Sequence, residues 1–256
     1  MKENQRFKLK ETLRYLLLGV LILLLAGAGG FILWATNPAQ PEAVALAAMQ
    51  TSDGIQFENV DGWLVFQPLD SEPAIGLIFY PGGRVDPRAY ASHARDIADQ
   101  GFTVVIVPMP LNLAFFGLNR ADQVITAFPD IETWAVGGHS LGGAMAAEYL
   151  SANPEQVSGL VLWASYPSGN NDLSAVDLPI LSVYASQDGL ATLEKIADSR
   201  ARLPLNTTFV EISGGNHAGF GWYGPQNGDG QATLSKPEQQ DLIVQATAAF
   251  LAALGQ

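Results

Sequence analysis

The sequence predicts one α/β domain, a mostly parallel sheet with helices on both faces, preceded by a single N-terminal transmembrane helix. Three observations predict it. Tyr15–Ala35 runs 21 residues without a charge. From residue 54 onward, short apolar runs alternate with amphipathic stretches of helical period, which is the pattern of βαβ units. IGLIFY at 75–80 is a continuous apolar run, as expected of a strand covered on both faces, and FTVVIV at 102–107 reads as the next buried strand. With 256 residues, 48% hydrophobic and 15% charged, the chain has apolar side chains enough for a large core.

The uncharged run matches the ~20 residues needed to cross a ~30 Å hydrocarbon layer. Tyr15 and Trp34 stand at its ends, where interfacial aromatics belong. Residues 1–14 carry five Lys or Arg against two Glu, a net +3, which leaves −15 of the total −12 for the remainder. No Lys or Arg follows until Arg84, so the positive-inside bias keeps the N-terminus cytoplasmic and places the body outside. A cleaved signal peptide is the competing reading. Its apolar core is usually 7–15 residues with a small-x-small site close behind, whereas Ala43-Val44-Ala45 comes late. The expected segments are a basic tail at 1–14, the membrane helix at 15–35, a tether at 36–52 with Pro38 and Pro41, and the α/β domain at 53–256.

In that domain, Gly54–Val60 and Gly62–Gln67 read as a hairpin around Asp61-Gly62. Ile75–Tyr80 is a buried strand ending in Pro81-Gly82-Gly83, and 87–100 is a helix stopped by Gly101. Phe102–Val107, Trp134–Gly138, Gly159–Ala164, Ile180–Ala185 and Thr208–Ile212 follow as strands, with helices at 120–129 and 140–152. Ser235 and Glu238 form a capping box for a last helix running to Leu254.

Gly138-His139-Ser140-Leu141-Gly142 fits G-x-S-x-G between an apolar strand and a helix. Such a turn lifts the serine oxygen above the sheet edge beside the positive end of the helix. A serine needs a base, and the chain has three histidines. His93 reads as a solvated mid-helix residue and His139 as packing or hydrogen bonding beneath the turn. His217, in the loop after TFVEI, is the expected base. Asp188, after ILSVYA, is the expected carboxylate that orients it. Asp86, Asp130, Asp172 and Asp177 read as turn and cap residues. The order Ser140, Asp188, His217 is that of the arrangement built around such an elbow. The oxyanion donors are expected at the Leu141 N–H and at the loop Pro81–Arg84, with Gly83 favoured and Arg84 the alternative.

The segments YPGG at 80–83, GGHSLGG at 137–143 and GGNH at 214–217 resemble small bacterial members of the α/β-hydrolase family related to dienelactone hydrolase-like enzymes. The resemblance spans residue 54 to the C-terminus. It implies an eight-stranded, mostly parallel sheet and a serine-hydrolase mechanism. The chain departs from dienelactone hydrolases proper in having Ser140 where they use cysteine, and residues 165–178 are too few for a bulky lid.

The expected activity is therefore hydrolysis of carboxylic esters or related acyl compounds. The same fold also hosts acyltransferases, thioesterases and peptidases, and a catalytically silent anchored binding protein is the reading from another class. No metal or organic cofactor is expected, and the acidic pI of 4.5 argues against nucleic acid as a partner. Oligomeric state is not legible. Pro108–Leu118, with Phe115 and Phe116, reads either as an acyl pocket or as a loop packing beneath the next helix. The stretch Ala218–Thr233, with Trp222 and Tyr223, is expected to border the site; its Gly228-Asp229-Gly230 is too short for a calcium loop.

Overall fold

The computed structural model describes residues 2–52 and 54–255, so the expected segment ends at Met1, Asp53 and Gln256 lie outside the described residues. The chain divides into two compact units, Met1–Pro38 and Ala39–Gln256. The first is a single helix, α1 (Lys2–Ala35). Its segment Lys10–Ala35, 26 residues or about 39 Å of helix, is long and apolar enough to cross a membrane. Leu16, Leu17, Ile22 and Leu23 are exposed along it.

The second unit is built on eight strands: β1 (Ile55–Val60), β2 (Trp63–Pro68), β3 (Ile75–Tyr80), β4 (Thr103–Ile106), β5 (Thr133–His139), β6 (Gly159–Trp163), β7 (Ile180–Ala185) and β8 (Thr208–Ile212). They lie in the order β1-β2-β4-β3-β5-β6-β7-β8. β2 pairs antiparallel with β1 and β4, and the remaining pairs are parallel. The β1–β2 hairpin turns through Asp61 (φ 51°) and Gly62 (φ 90°). Positive φ at both central residues matches the twist of the strands, which is why an Asp-Gly pair closes this turn.

Alternate strand residues feed opposite layers. Leu77, Phe79, Ile106, Val161, Trp163 and Val183 pack beneath α3 (Ala91–Asp99) and α7 (Lys236–Leu254), which contribute Ile97, Ile243, Phe250 and Leu251. Ile78, Val105, Val136, Leu160 and Leu162 face α4 (Arg120–Ala127) and α5 (Leu141–Ala152) through Val124, Ala146, Tyr149 and Leu150. Each such aliphatic side chain, fully buried, contributes about 1.5–3 kcal/mol. The helix over 236–254 begins with the expected capping box of Ser235 and Glu238.

Three features differ from the sequence reading. Residues 39–52 do not hang free as a tether. Ala39 bridges Val85, Pro41 bridges Tyr223, and α2 (Ala43–Ala47) buries Ala45. Arg95 donates to the carbonyl oxygens of Gln50 (2.6 Å) and Ser52, gripping backbone that carries no sequence signal of its own. A short helix, α6 (Leu193–Ser199), follows β7; Thr192 caps it, and it is too brief to show a period. His93 is buried, 1% exposed, with its ring 5.1 Å from that of Trp163. It sits four residues before Ile97, hence on the same inward face of α3.

Candidate active site

Ser140 stands between the last residue of β5 and the first of α5, at φ 52° and ψ −121°. This region is strained for any residue with a Cβ. It persists because the backbone around it is pinned: the Ser140 N–H donates to Trp163 O (2.9 Å), and Ser165 Oγ donates to Ser140 O (2.7 Å). The turn is sharp enough that a Cβ on Gly142 would collide with the carbonyl oxygen of Tyr80, and one on Gly138 would lie 2.5 Å from that same oxygen. Glycine is required at both places by close approach.

Asp188 and His217 lie beyond the carboxyl ends of the adjacent parallel strands β7 and β8. Asp188 Oδ1 accepts from the Leu190 and Ala191 N–H groups at 2.7 Å each, which fixes the carboxylate. Its Oδ2 is 2.8 Å from His217 Nδ1, and both side chains are buried. A carboxylate can only accept, so the Nδ1–H donates to it and Nε2 keeps its lone pair. Nε2 is buried and has no hydrogen-bond partner among the described residues.

The loop after β3 resolves its own register. Gly82 N–H donates to Tyr90 Oη (3.0 Å), and Arg84 N–H donates to Asn112 O (2.7 Å). The N–H of Arg84 is thus committed to the protein. That of Gly83, between them, makes no such bond among the described residues, and Gly83 lies against Leu141: a Cβ there would be 3.0 Å from Leu141 Cδ2. Tyr90 Oη, which accepts from Gly82, also shares a hydrogen bond with His139 Nδ1 at 2.9 Å. His139 therefore does hydrogen-bond beneath the turn, stacked on Phe220 and 4.5 Å, centroid to centroid, from His217. Burial, and then the charge His217 can carry, push its pKa well below the usual imidazole value and keep it neutral.

A cleft of about 360 Å³ opens over these groups. Ser140, Leu141 and His217 line it together with Ala144, Ser165, Tyr166, Ser168, Leu190 and Ala191. Phe115 and Phe116 of the loop 108–118, each 48% exposed, are not among these lining residues. That loop serves the site indirectly, through Asn112 O on Arg84 and Leu113 beside Gly83. Two polar residues escaped the sequence reading. Tyr90 was hidden in a helical stretch. Asp229 accepts backbone N–H bonds from His217 (3.1 Å) and Ala218 (2.8 Å), so the stretch 218–233 does border the base. Asp86 and Asp172 have the expected turn roles, accepting from the N–H groups of Arg88 and Ser174.

The family model described as the alpha/beta hydrolase family matches residues 76–241, from β3 into the last helix. The chain belongs to the alpha/beta hydrolase family. Solved structures of like fold include the esterase domain of a Rhodothermus marinus protein, at 15% identity and TM-score 0.57, covering 77% of this chain and 97% of that one. A dienelactone hydrolase from Anabaena variabilis matches at 15% identity and TM-score 0.62, covering 78% and 99%. Est1E from Butyrivibrio proteoclasticus, solved with ferulic acid bound, matches at 13% identity and TM-score 0.57, covering 78% and 98%. No curated protein sequence matches this hydrolase. At such identities the likeness is one of fold.

Proposed function

We propose that this chain is a membrane-anchored serine hydrolase that cleaves carboxylic esters or related acyl compounds through Ser140, His217 and Asp188. The observation that carries the reading is the buried 2.8 Å Asp188–His217 pair opening onto the same cleft as the strained Ser140. Ser140 Oγ attacks the acyl carbon while His217 Nε2 takes its proton and returns it to the leaving group. Asp188 holds the Nδ1–H tautomer and stabilises the imidazolium. The N–H groups of Gly83 and Leu141 receive the oxyanion, the second at the positive end of α5. Water then releases the acyl group by the same steps with His217 as base. The helix Lys10–Ala35 anchors the chain, with its basic N-terminal end cytoplasmic and the catalytic domain outside.

The test is labelling of the detergent-solubilised chain with a fluorophosphonate, with Ser140→Ala as control, followed by a panel of esters. Labelling that disappears in the variant supports an activated serine. A folded chain that neither labels nor hydrolyses any ester removes the reading in favour of a silent binding protein. Faster turnover with an alcohol, thiol ester or peptide partner would reassign the acyl acceptor or donor but keep the nucleophile.

A further inference from the structure

We propose that Asp229 is a positioning residue that sets the geometry of the Asp188–His217 pair, an inference that rests on the hydrolase reading above. The two groups of that pair come from separate loops, one after β7 and one after β8. Within the acid loop, Asp188 is held by its own Leu190 and Ala191 N–H groups. Before the acid, the Gln187 N–H donates to Gly215 O (2.9 Å) and Ser186 Oγ accepts from the Gly214 N–H (2.8 Å), but neither bond holds the peptides of Gly189 or His217.

The carboxylate of Asp229 spans both. Its Oδ1 accepts from the N–H of Gly189 (3.2 Å), the residue after Asp188, and from the N–H of His217 itself (3.1 Å). The same oxygen accepts from the N–H of Gly230 at 2.8 Å, and Oδ2 accepts from the N–H of Ala218 at 2.8 Å. One ionised side chain thus fastens the peptide beside the acid to the peptide that carries the base. Hydrogen bonds to an ionised acceptor are roughly twice as strong as neutral ones.

The surrounding backbone is shaped to admit it. A Cβ on Gly189 would collide with Gly228 O, and one on Gly230 with Gln187 O, so residues 228–230 lie directly on the acid loop. Asn216 Nδ2, on the base loop, donates to Gly230 O at 2.8 Å. The segment around Asp229 therefore touches both loops through its backbone while its side chain ties them together. Among the described residues the hydrogen bonds of that side chain go to backbone N–H groups and not to Ser140 or the imidazole ring. Its effect reaches the chemistry through where it holds the loops.

In Asp229→Asn one oxygen becomes an NH₂ group that faces backbone donors, so part of the clamp is lost at nearly constant size. Misplacement of catalytic groups by about 1 Å can cost ~10²-fold in rate. The expected result, with a p-nitrophenyl ester and the solubilised full chain, is a kcat lower by about 10- to 100-fold with KM within about twofold. Asp172→Asn, which removes a similar carboxylate–backbone bond elsewhere, leaves kcat unchanged. A wild-type kcat in Asp229→Asn overturns the proposal, as does an equal loss in Asp172→Asn. If Asp229→Asn does not fold, amide exchange of the wild-type chain decides. Core-like protection of Gly189 and Ala218 supports the clamp, and free exchange of either overturns it. A wild-type chain that neither labels nor turns over ester would instead remove the hydrolase reading itself, so the two failures are distinct.

Discussion

Ser140 keeps a backbone conformation that costs of order 1–3 kcal/mol, because Gly138 and Gly142 let the chain pass so close to Tyr80 O that no relaxed path remains. Asp188 is fixed with comparable economy. Its Oδ1 serves two backbone donors, so an asparagine can keep that oxygen there and present NH₂ to His217 Nδ1. The ring is then driven to the wrong tautomer, and Asp188→Asn should lose about 10⁴-fold in kcat with a melting temperature near wild type. Ester turnover within tenfold of wild type would move the acid role to another carboxylate. His93 makes a stability prediction of known sign. Burial, aided by the charge of Lys236, lowers its pKa to about 3, below its ordinary 6.5, and neither ring nitrogen has a partner among the described residues. Between these values the unfolded chain binds the extra proton. Its contribution is complete above about pH 6.5 and is lost as pH falls towards 3, with a slope of at most ~1.4 kcal/mol per unit. His93→Phe should flatten that loss, read as a smaller drop in urea midpoint from pH 7 to pH 4.5; an unchanged drop would assign the acid sensitivity to other groups such as His139.

At the scale of elements, the site is assembled where parallel strands end. β5, β7 and β8 deliver the serine, the carboxylate and the histidine to one edge, and β3 delivers Gly83. Four residues separate the end of β8 from His217, and two separate the end of β7 from Asp188, so each loop is short and its side chain has little freedom. The residues that line the cleft come from the elbow and first turn of α5 and from the loops after β6, β7 and β8. Added bulk at Ala144, one turn into α5, should therefore penalise long acyl chains. Ala144→Phe is expected to lower kcat/KM for a hexanoyl ester about tenfold more than for an acetyl ester, whereas Phe116→Asp leaves that ratio as in wild type. A chain-length profile shifted by Phe116→Asp alone would place the acyl group on the other side of Ser140.

For the whole molecule, the proposed topology is open to a direct measurement, because the chain has no cysteine. Single cysteines at exposed Asp70 and at Lys8 report the two sides. Asp70→Cys should react with an impermeant maleimide on intact cells, and Lys8→Cys only after permeabilisation; the reverse pattern would invert the topology. The strand pattern, the elbow and the order Ser140, Asp188, His217 were legible in the sequence because they are local. Apolar runs mark buried strands, glycines mark where the backbone must approach closely, and strand ends mark where polar groups collect. His93 was misjudged because its burial depends on the sheet beneath α3, where its ring meets Trp163 of β6, and Asp229 and Tyr90 were overlooked because they join separate segments, Gly189 and His217 for one and Gly82 and His139 for the other. The strap at 39–52 is held by carbonyl oxygens, which every sequence possesses. Thus the order of strands and helices and the apolar helix were determined by the sequence alone, and the serine, carboxylate and histidine proposed for catalysis were chosen from it. Which N–H groups of the Gly82–Arg84 loop are bonded within the protein, which residues line the cleft and which carboxylate accepts from the backbone of both loops were decided only by tertiary structure. The reason is physical: periodicity and residue chemistry are written along the chain, whereas hydrogen-bond satisfaction and burial are properties of groups brought together from distant parts of it.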